Sequence, residues 1–302
     1  MKNSLTAKLA KGLPALVAAA VLTHSPVASA GPAIGLDPSG SGAAFTYADL
    51  WTNLTDSALS VGFTLGGSVP PGAPYDVRLI SQARLGTLQD LGVPVTTPGY
   101  TINTTGAGSY QVTEVLDLME KVTAQTPSVN AIFGNTTQIL AHDVDPAHTG
   151  NQQIAFYLDT PVATLANPNS ATGYQQGILI ASGHVVSNSS SFTLSGAGIG
   201  TGSFNVAFAF DYVNSNYLNA TVGQIMGTDI TGTTNVPTQF SPANMWNGVA
   251  TASPPGATNF LLKVDSSDIF TVPEPGSLAL MGLGLVGLGA SVARRRRVQA
   301  KS

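Results

Sequence analysis

The stretch GSFNVAFAFDYVN at residues 202–214 places a large apolar or aromatic side chain at every second position. These side chains are Phe204, Val206, Phe208, Phe210 and Tyr212, and small or polar residues stand between them. Because successive side chains of a β-strand point to opposite faces, the alternation gives one apolar and one polar face. We therefore predict a half-buried strand here.

Further short segments share this pattern and are bounded by Gly, Pro, Asn or Ser. They are 153–158, 177–186, 191–194, 221–226 and 259–264. Short strands with turn residues between them are typical of sandwich and jelly-roll proteins. We expect residues 31–271 to form one all-β domain, a single β-sandwich or jelly-roll-like fold, which at this size needs no disulfides.

Residues 110–124 allow two interpretations. Their apolar side chains fall at helical spacing, namely Val112, Val115, Leu116, Met119 and Val122. The segment also contains the β-branched residues Val112, Thr113, Val115 and Val122, however, and residues 126–133 could continue it as a turn and a strand. The sequence alone leaves helix and strand equally open.

The charged residues are few and unevenly placed. The 302 residues hold 12 Lys and Arg against 16 Asp and Glu, and eight of the twelve cations lie in the two end segments. Residues 31–275 therefore carry four cations and sixteen anions, a formal charge of −12. This acidic balance excludes a basic nucleic-acid binder, and the absence of Cys excludes disulfides, thiol catalysis and Cys-ligated metals.

The first 30 residues have the pattern of a secretory signal peptide. Three Lys precede an apolar stretch at 13–22, and Ala28 and Ala30 supply the small residues that a signal peptidase requires. We predict cleavage after Ala30. A buried first helix is the alternative, but Pro14 would interrupt it.

A second apolar run, residues 278–293, would rise about 24 Å as a helix, slightly less than the roughly 30 Å of a bilayer core. Four arginines follow it directly: Arg294, Arg295, Arg296 and Arg297. By the positive-inside rule they hold the C-terminus in the cytoplasm and leave the domain outside. The run contains four Gly, so we expect a weak helix that spans the inner membrane only transiently.

Pro273, Glu274 and Pro275 precede this run, and the prolines predict an extended segment that a processing enzyme can bind. The order of Pro-Glu-Pro, a short Gly-rich apolar span and an Arg cluster resembles the PEP-CTERM sorting signal of Gram-negative bacterial exoproteins over residues 272–302. The resemblance implies recognition by an exosortase, a membrane transpeptidase-like enzyme, in species that make exopolysaccharide. It also implies delivery to the cell surface or extracellular matrix, and no activity.

Catalytic motifs are absent from the sequence of the domain. No Gly-x-Ser-x-Gly pentapeptide occurs, which excludes a serine hydrolase of the nucleophile-elbow kind. His184 has no acid near it in sequence, and no two carboxylates are recognisable as a glycosidase pair. We therefore expect a protein that is not an enzyme, with no catalytic residues and no cofactor-binding residues.

The best cluster of potential metal ligands is HDVDPAHTG at residues 142–150. Asp143 and Asp145 offer carboxylates two residues apart with a Gly further on, which is a fragment of a calcium loop, although the final Glu of an EF-hand is missing. Pro146 and Gly150 equally mark a solvated turn. We take Asp143 and Asp145 as candidate Ca²⁺ ligands, with a plain turn as the alternative.

Several phrases between residues 34 and 271 resemble the flocculation-associated PEP-CTERM proteins of floc-forming bacteria. They are IGLDPSG at 34–40, TYADLWTN at 46–53, HVVSN at 184–188, FDYVNS at 210–215 and LKVDS at 262–266. The resemblance implies a secreted surface protein that helps cells to aggregate with their exopolysaccharide. It carries no catalytic residues over to this chain.

We therefore expect a structural or adhesive matrix protein. The alternative is a carbohydrate-binding module with a defined sugar pocket and exposed aromatic rings, the candidates being Trp51, Tyr100, Tyr174, Tyr217 and Trp246. Because the domain is anionic, contact with an anionic polysaccharide would need salt screening, a divalent cation, or neutral hydroxyl and amide groups.

Overall fold

The alternating segment 202–214 forms most of a strand, Gly200–Val213, in the computed structural model of the chain. The structure describes residues 34–63, 75–129, 136–144, 153–168, 170, 172–195, 200–233 and 258–270. All of them belong to one compact unit. The predicted signal peptide and the predicted sorting tail lie outside the described residues.

Within these residues every regular element is a β-strand, so the predicted all-β fold is confirmed. In chain order the strands are β1 (Ile34–Leu36), β2 (Thr46–Ala48), β3 (Leu50–Phe63), β4 (Tyr75–Asp90), β5 (Val93–Val95), β6 (Thr101–Ile102), β7 (Ser109–Val129), β8 (Thr136–Val144), β9 (Gln153–Asp159), β10 (Ile178–Ser195), β11 (Gly200–Val213), β12 (Leu218–Asn219), β13 (Ile225–Thr233) and β14 (Thr258–Ile269).

The long strands pair around a closed circuit. Its order is β4, β3, β14, β13, β11 and β10, followed by β9 and β8, and then by β7, which pairs with β4 again. Strands β9 and β8 occupy the same place in this order, one after the other along β10 and β7. β9 lies between the first halves of β10 and β7, and β8 lies between their second halves. All these pairings are antiparallel, and they are consistent with a sandwich whose two sheets are joined at both edges.

The register defines two ends of this circuit. At one end Ile269 pairs with Leu50, which pairs on its other side with Gln89. We call it the tail end, because the chain leaves β14 there. At the opposite end, which we call the far end, Thr201 pairs with Thr233.

An aromatic cluster fills the interior of the circuit. Trp51 packs edge-on against Phe270, with ring centroids 4.9 Å apart, and against Phe156 at 5.9 Å. Phe208 lies 5.9 Å from Phe156 and 5.7 Å from Phe210. All five rings are buried. Burial of side chains of this size contributes roughly 1.5–3 kcal/mol each, so the cluster is a main source of stability.

Part of the outer face is covered as well. Leu59, Ile80 and Val115 form a second buried cluster with Ala166 and Tyr174, which belong to the segment between β9 and β10. Strands β3, β4 and β7 therefore bury side chains on both of their faces.

Residues 110–124 belong to strand β7, so the helical alternative is wrong. Val112 and Leu116 belong to the interior core, whereas Val115 belongs to the outer cluster. The interior face also holds buried Glu114. Burial on both faces removes the polar and apolar alternation by which a strand is recognised in a sequence.

Three predicted segments also have different bounds in the structure. Segments 177–186 and 191–194 are parts of one long strand, β10. Segment 221–226 is mostly a turn, since β13 begins only at Ile225 and Gly223 has a φ of 84°.

The alternation at residues 202–214 breaks at its last aromatic side chain. Ser182 pairs with Tyr212 while the next residue, Gly183, pairs with Phe210, so Asp211 is an extra residue in a β-bulge. The bulge turns Tyr212 to the outside, where it is 42% exposed. The prediction that Tyr212 shares the buried face was therefore wrong.

Candidate functional site

A groove of about 620 Å³ lies on the outer face of strands β10, β11, β13 and β14, at the far end. Six exposed hydroxyl side chains line it: Ser191, Thr193, Thr201, Ser203, Thr231 and Thr233. Lys263 and Asp265 of β14 form one side. We call this site the hydroxyl groove.

The strand register orders the groove into rows. Two rows cross the four strands, Thr193, Thr201, Thr233 and Lys263 in one, and Ser191, Ser203, Thr231 and Asp265 in the other. Neighbouring strands lie about 4.8 Å apart, and residues two positions apart along a strand about 6.8 Å. The groove is therefore a regular array of hydroxyl groups.

The local sequence explains why the hydroxyls all face outward. Strands β10, β11 and β13 each contribute a hydroxyl residue, an inward residue and a second hydroxyl residue, as SFT at 191–193, TGS at 201–203 and TGT at 231–233. The inward Phe192 is buried against the glycines of β11, and a Cβ on Gly202 would lie only 2.4 Å from its ring. Glycine on the inward side makes room for this ring and leaves the outer face to the hydroxyls.

Chemically, the groove is nearly neutral. Lys263 and Asp265 contribute one charge of each sign, and the other polar side chains are hydroxyls. Each hydroxyl can donate one hydrogen bond and accept others, as the hydroxyl groups of a sugar do. The groove can therefore bind a neutral polyhydroxyl ligand.

Sequence analysis did not identify this groove. A signal existed, since the pattern of a hydroxyl at positions i and i+2 recurs in three of the strands. The pattern alone does not predict a site, because only the strand register shows that the three triplets lie side by side.

A second polar cluster lies inside the circuit. Asn53 Nδ2 donates to Ser266 Oγ at 2.8 Å and lies 3.4 Å from both Glu114 Oε2 and Asp268 Oδ2. Burial raises the pKa of Asp268 to about 6, although hydrogen bonds with Thr228, Glu114 and Asn53 oppose this rise. Glu114 and Asp268 are 5% and 1% exposed, so neither carboxyl group can serve a ligand at the surface.

The two candidate calcium ligands fall on either side of a boundary of the described residues. Asp143 lies in β8, opposite Ser189 of β10 and Lys121 of β7, whereas Asp145 lies outside. In the part of the chain that the structure describes, no group of three or more His, Asp or Glu side chains could hold a metal ion.

The predicted processing residues also lie outside the described residues. These are Ala28, Ala30, Pro273, Glu274, Pro275, Arg294, Arg295, Arg296 and Arg297.

The candidate sugar-binding rings are mostly buried. Trp51 and Tyr174 are 2% and 3% exposed, so their assignment as exposed platforms is wrong. Tyr100 and Tyr217 are half-buried and pack against the core. Trp246 lies outside the described residues.

His184 has an acidic partner that its sequence neighbours do not reveal. Its Nδ1 lies 2.8 Å from Asp211 Oδ1, on the strand next to it. Both side chains are about half exposed, so the contact is a pair on the outer surface.

Comparison with known proteins identifies a family match in the C-terminal segment. No curated protein and no solved structure matches the chain significantly. None of the described residues form a helix that is long and apolar enough to cross a membrane. Residues 271–297 match the family described as the PEP-CTERM protein-sorting motif, over the Pro-Glu-Pro segment, the apolar run and the four Arg. The chain therefore carries a PEP-CTERM sorting motif, which implies an exported protein that an exosortase processes at the cell envelope or surface.

Proposed function

We propose that this chain is a non-enzymatic surface or matrix protein that promotes cell aggregation with exopolysaccharide. The sorting motif supports delivery to the cell surface. The hydroxyl groove carries the second part of the proposal, because its rows of Ser and Thr suit a polyhydroxyl polymer.

Neutral contacts fit the electrostatics of the domain. Residues 31–275 have a formal charge of −12, so an anionic polysaccharide is repelled over the Debye length of about 8–10 Å. Hydrogen bonds of hydroxyl groups are short-ranged and each contributes only about 0.5–1.5 kcal/mol. When several copies of the protein on one cell bind the same polymer chain, these weak contacts together hold the cell to the polymer through avidity.

The alternative function is a carbohydrate-binding module with a defined sugar pocket. Its support is the size of the hydroxyl groove, since about 620 Å³ is within the range of small-ligand sites. The buried positions of Trp51 and Tyr174 weaken it, because sugar pockets usually stack an aromatic ring on the ligand. A short oligosaccharide that binds as tightly per site as the polymer would favour this alternative.

The test removes hydroxyl groups from the centre of the groove without changing side-chain shape. Thr201→Val combined with Thr231→Val should weaken binding of the purified protein to the polysaccharide of its host at least tenfold. Thr96→Val removes an exposed hydroxyl outside the groove and should bind like the wild type. In a host lacking the gene, the wild type and the control should restore clumping, and the double variant should not. Equal binding by all three proteins would contradict the proposal.

We propose, separately, that a divalent cation links the domain to the matrix. Calcium or magnesium bridges carboxylates of the domain to the matrix, with Asp143 and Asp145 as the candidate ligands. The proposal rests on the formal charge of −12. A chelator should then release the protein from preformed aggregates, and full retention would count against the bridge.

A further inference from the structure

The hairpin that joins β4 and β5 has an unusual residue at its tip. Asp90 pairs with Val93, and the two residues between them, Leu91 and Gly92, have φ of 51° and 78°. Two positive φ values make a type I′ turn, which favours Asn, Asp or Gly at both central positions. A leucine in the left-handed region is strained, so turn chemistry does not explain Leu91.

Burial does not explain Leu91 either. Leu91 is 77% exposed, and Val93 beside it is 63% exposed. Leucine is usually found inside proteins, and here it lies in the exposed turn of the hairpin. We call Leu91, Gly92 and Val93 the apolar tip.

The apolar tip is tied to the place where the chain leaves the domain. Leu91 N donates to Asp49 Oδ2 at 3.1 Å, and Phe270 N donates to Asp49 O at 3.1 Å. Phe270 directly precedes the matched motif at 271–297. One residue, Asp49, therefore holds both the apolar tip and Phe270, the last described residue before the motif, at the tail end.

The motif limits how far the apolar tip can be from a membrane. Seven residues, 271–277, separate Phe270 from the apolar run 278–293. The eight Cα–Cα steps from Phe270 to Leu278 span at most about 29 Å when fully extended. When the apolar run enters a bilayer, as its sequence predicts, the tail end cannot move further than this from the lipid.

We propose that the apolar tip docks on the lipid surface of the membrane that holds the sorting motif. Two apolar side chains bury too little area to keep a free domain on lipid. The short tether raises their effective concentration at the bilayer, so that a weak contact suffices. Docking therefore lasts as long as the tail is attached, and it orients the Pro-Glu-Pro segment beside the membrane.

The neighbouring charges select the kind of lipid. Asp90 is exposed next to the apolar tip, and the carboxylate of Asp49 is bound to Leu91 N. Both repel an anionic bilayer, and salt screens this repulsion. Docking should therefore be stronger on zwitterionic vesicles than on anionic ones at low salt.

The absence of Cys from the chain allows a direct test. Leu91→Cys in the full chain carries an environment-sensitive dye, and Thr193→Cys carries the same dye at the exposed far end. Each labelled protein is reconstituted in phosphatidylcholine vesicles that contain doxyl lipid as a quencher. A third variant with the dye at Ala279→Cys, in the apolar run, shows by its quenching that the tail is inserted. We expect a blue shift and quenching at position 91 and neither at position 193. A dye at position 91 that stays in water would overturn the proposal.

A second variant separates docking from folding. Leu91→Asn suits the left-handed turn, so it should keep or raise the thermal stability. With the dye at Val93→Cys, it should reduce quenching at least threefold, and unchanged quenching would contradict the role of Leu91. A blue shift without doxyl quenching, seen only when an exosortase is also present, would assign the apolar tip to a protein partner and would reject the lipid.

Discussion

Thr228 Oγ1 donates a hydrogen bond of 2.6 Å to Asp268 Oδ1 inside the circuit, where each residue is 1% exposed. Glu114 also forms a hydrogen bond with Asp268, so two carboxyl groups share a site that water does not reach. Two such groups do not both ionise readily, so the pair binds a proton more tightly than exposed carboxyl groups do. The folded domain therefore binds a proton that the unfolded chain releases at lower pH.

We expect the domain to gain stability as the pH falls from 7 to 5. The pKa of Asp268 rises from its ordinary value of 3.8 to about 6 in the fold. Its contribution is complete below pH 3.8 and is lost as the pH rises through about 6. Between pH 7 and pH 5 this shift corresponds to roughly 1.4 kcal/mol in the free energy of unfolding, out of about 3 kcal/mol for the whole shift at lower pH. Urea unfolding at pH 5, 6 and 7 measures it.

The variant that tests this prediction and its matched control lie in the same strand, β14. Asp268→Asn replaces the protonated carboxyl by an amide and should lose most of the pH dependence in this range. Asp265→Asn changes an exposed carboxylate in the same strand and should keep the wild-type slope. A wild-type slope in Asp268→Asn would contradict the shared proton.

Asp37 shows the opposite dependence on pH. Its buried carboxylate accepts hydrogen bonds from Ser39 N at 2.9 Å and Oγ at 2.5 Å, from Ser41 Oγ at 2.7 Å, and from the amides of Ala43 and Ala44 at 3.3 Å. Burial alone would raise the pKa of Asp37, but the bonds from Ser39, Ser41 and the backbone hold it far below its ordinary value. Its stabilising contribution is present above about pH 4 and is lost as the pH falls below that value.

We therefore expect Asp37→Asn to lose about 1.5–3 kcal/mol of stability at neutral pH, because a charged acceptor of several donors is removed. The variant should also lose part of the sensitivity to acid below pH 4. Ser41→Ala removes a single donor and should cost about 1 kcal/mol. Thermal unfolding at pH 7 and pH 3 measures both, and hydrogen exchange at Ala43 and Ala44 should be faster in Asp37→Asn. Amides that stay protected would argue against the carboxylate as the organiser of this loop.

Phe270 and Ile269 give adjacent residues with opposite environments. The ring of Phe270 is buried 4.9 Å from that of Trp51, whereas Ile269 is 37% exposed. Phe270→Ala should cost about 3–5 kcal/mol, the usual effect of a cavity in an aromatic core. Ile269→Ala should cost about 1 kcal/mol or less. Similar melting temperatures for the two variants would mean that the last residue before the sorting motif is not fixed in the core.

The strand at residues 202–214 could be predicted because one of its faces is buried and the other is polar. Phe204, Phe208 and Phe210 are all buried, and the exposed Asn205 alternates with them. Strand β7 lacks this contrast. Val115 is buried on its outer face, and Glu114 and Glu120 are buried on its inner face, so neither hydropathy nor charge marks its sides. The burial of its outer face involves the segment between β9 and β10, which is distant in sequence.

The candidate site was beyond sequence analysis for a related reason. A shift of one residue between β11 and β13 would turn Thr231 and Thr233 inward and remove the groove. That register is set by pairings around the whole circuit. It also depends on bulges at β10, which no local sequence motif predicts. The sorting motif could be predicted, because it is defined by the order of residues along the chain and not by tertiary contacts.

Gly202 tests whether packing inside the circuit shapes the groove outside it. A Cβ at this position would lie 2.4 Å from the Phe192 ring and 2.8 Å from Ser191 O, so the ring and the neighbouring strand must move. Gly202→Ala should destabilise the domain by about 1–3 kcal/mol, as overpacking does. It should also weaken polysaccharide binding, because Ser191 and its row are displaced. In Gly227→Ala of the next strand, the added Cβ would meet only Ile269 O at 3.9 Å, so that variant should keep wild-type stability and binding. If Gly202→Ala binds and melts like Gly227→Ala, the order of the hydroxyl rows does not depend on the buried Phe192 ring.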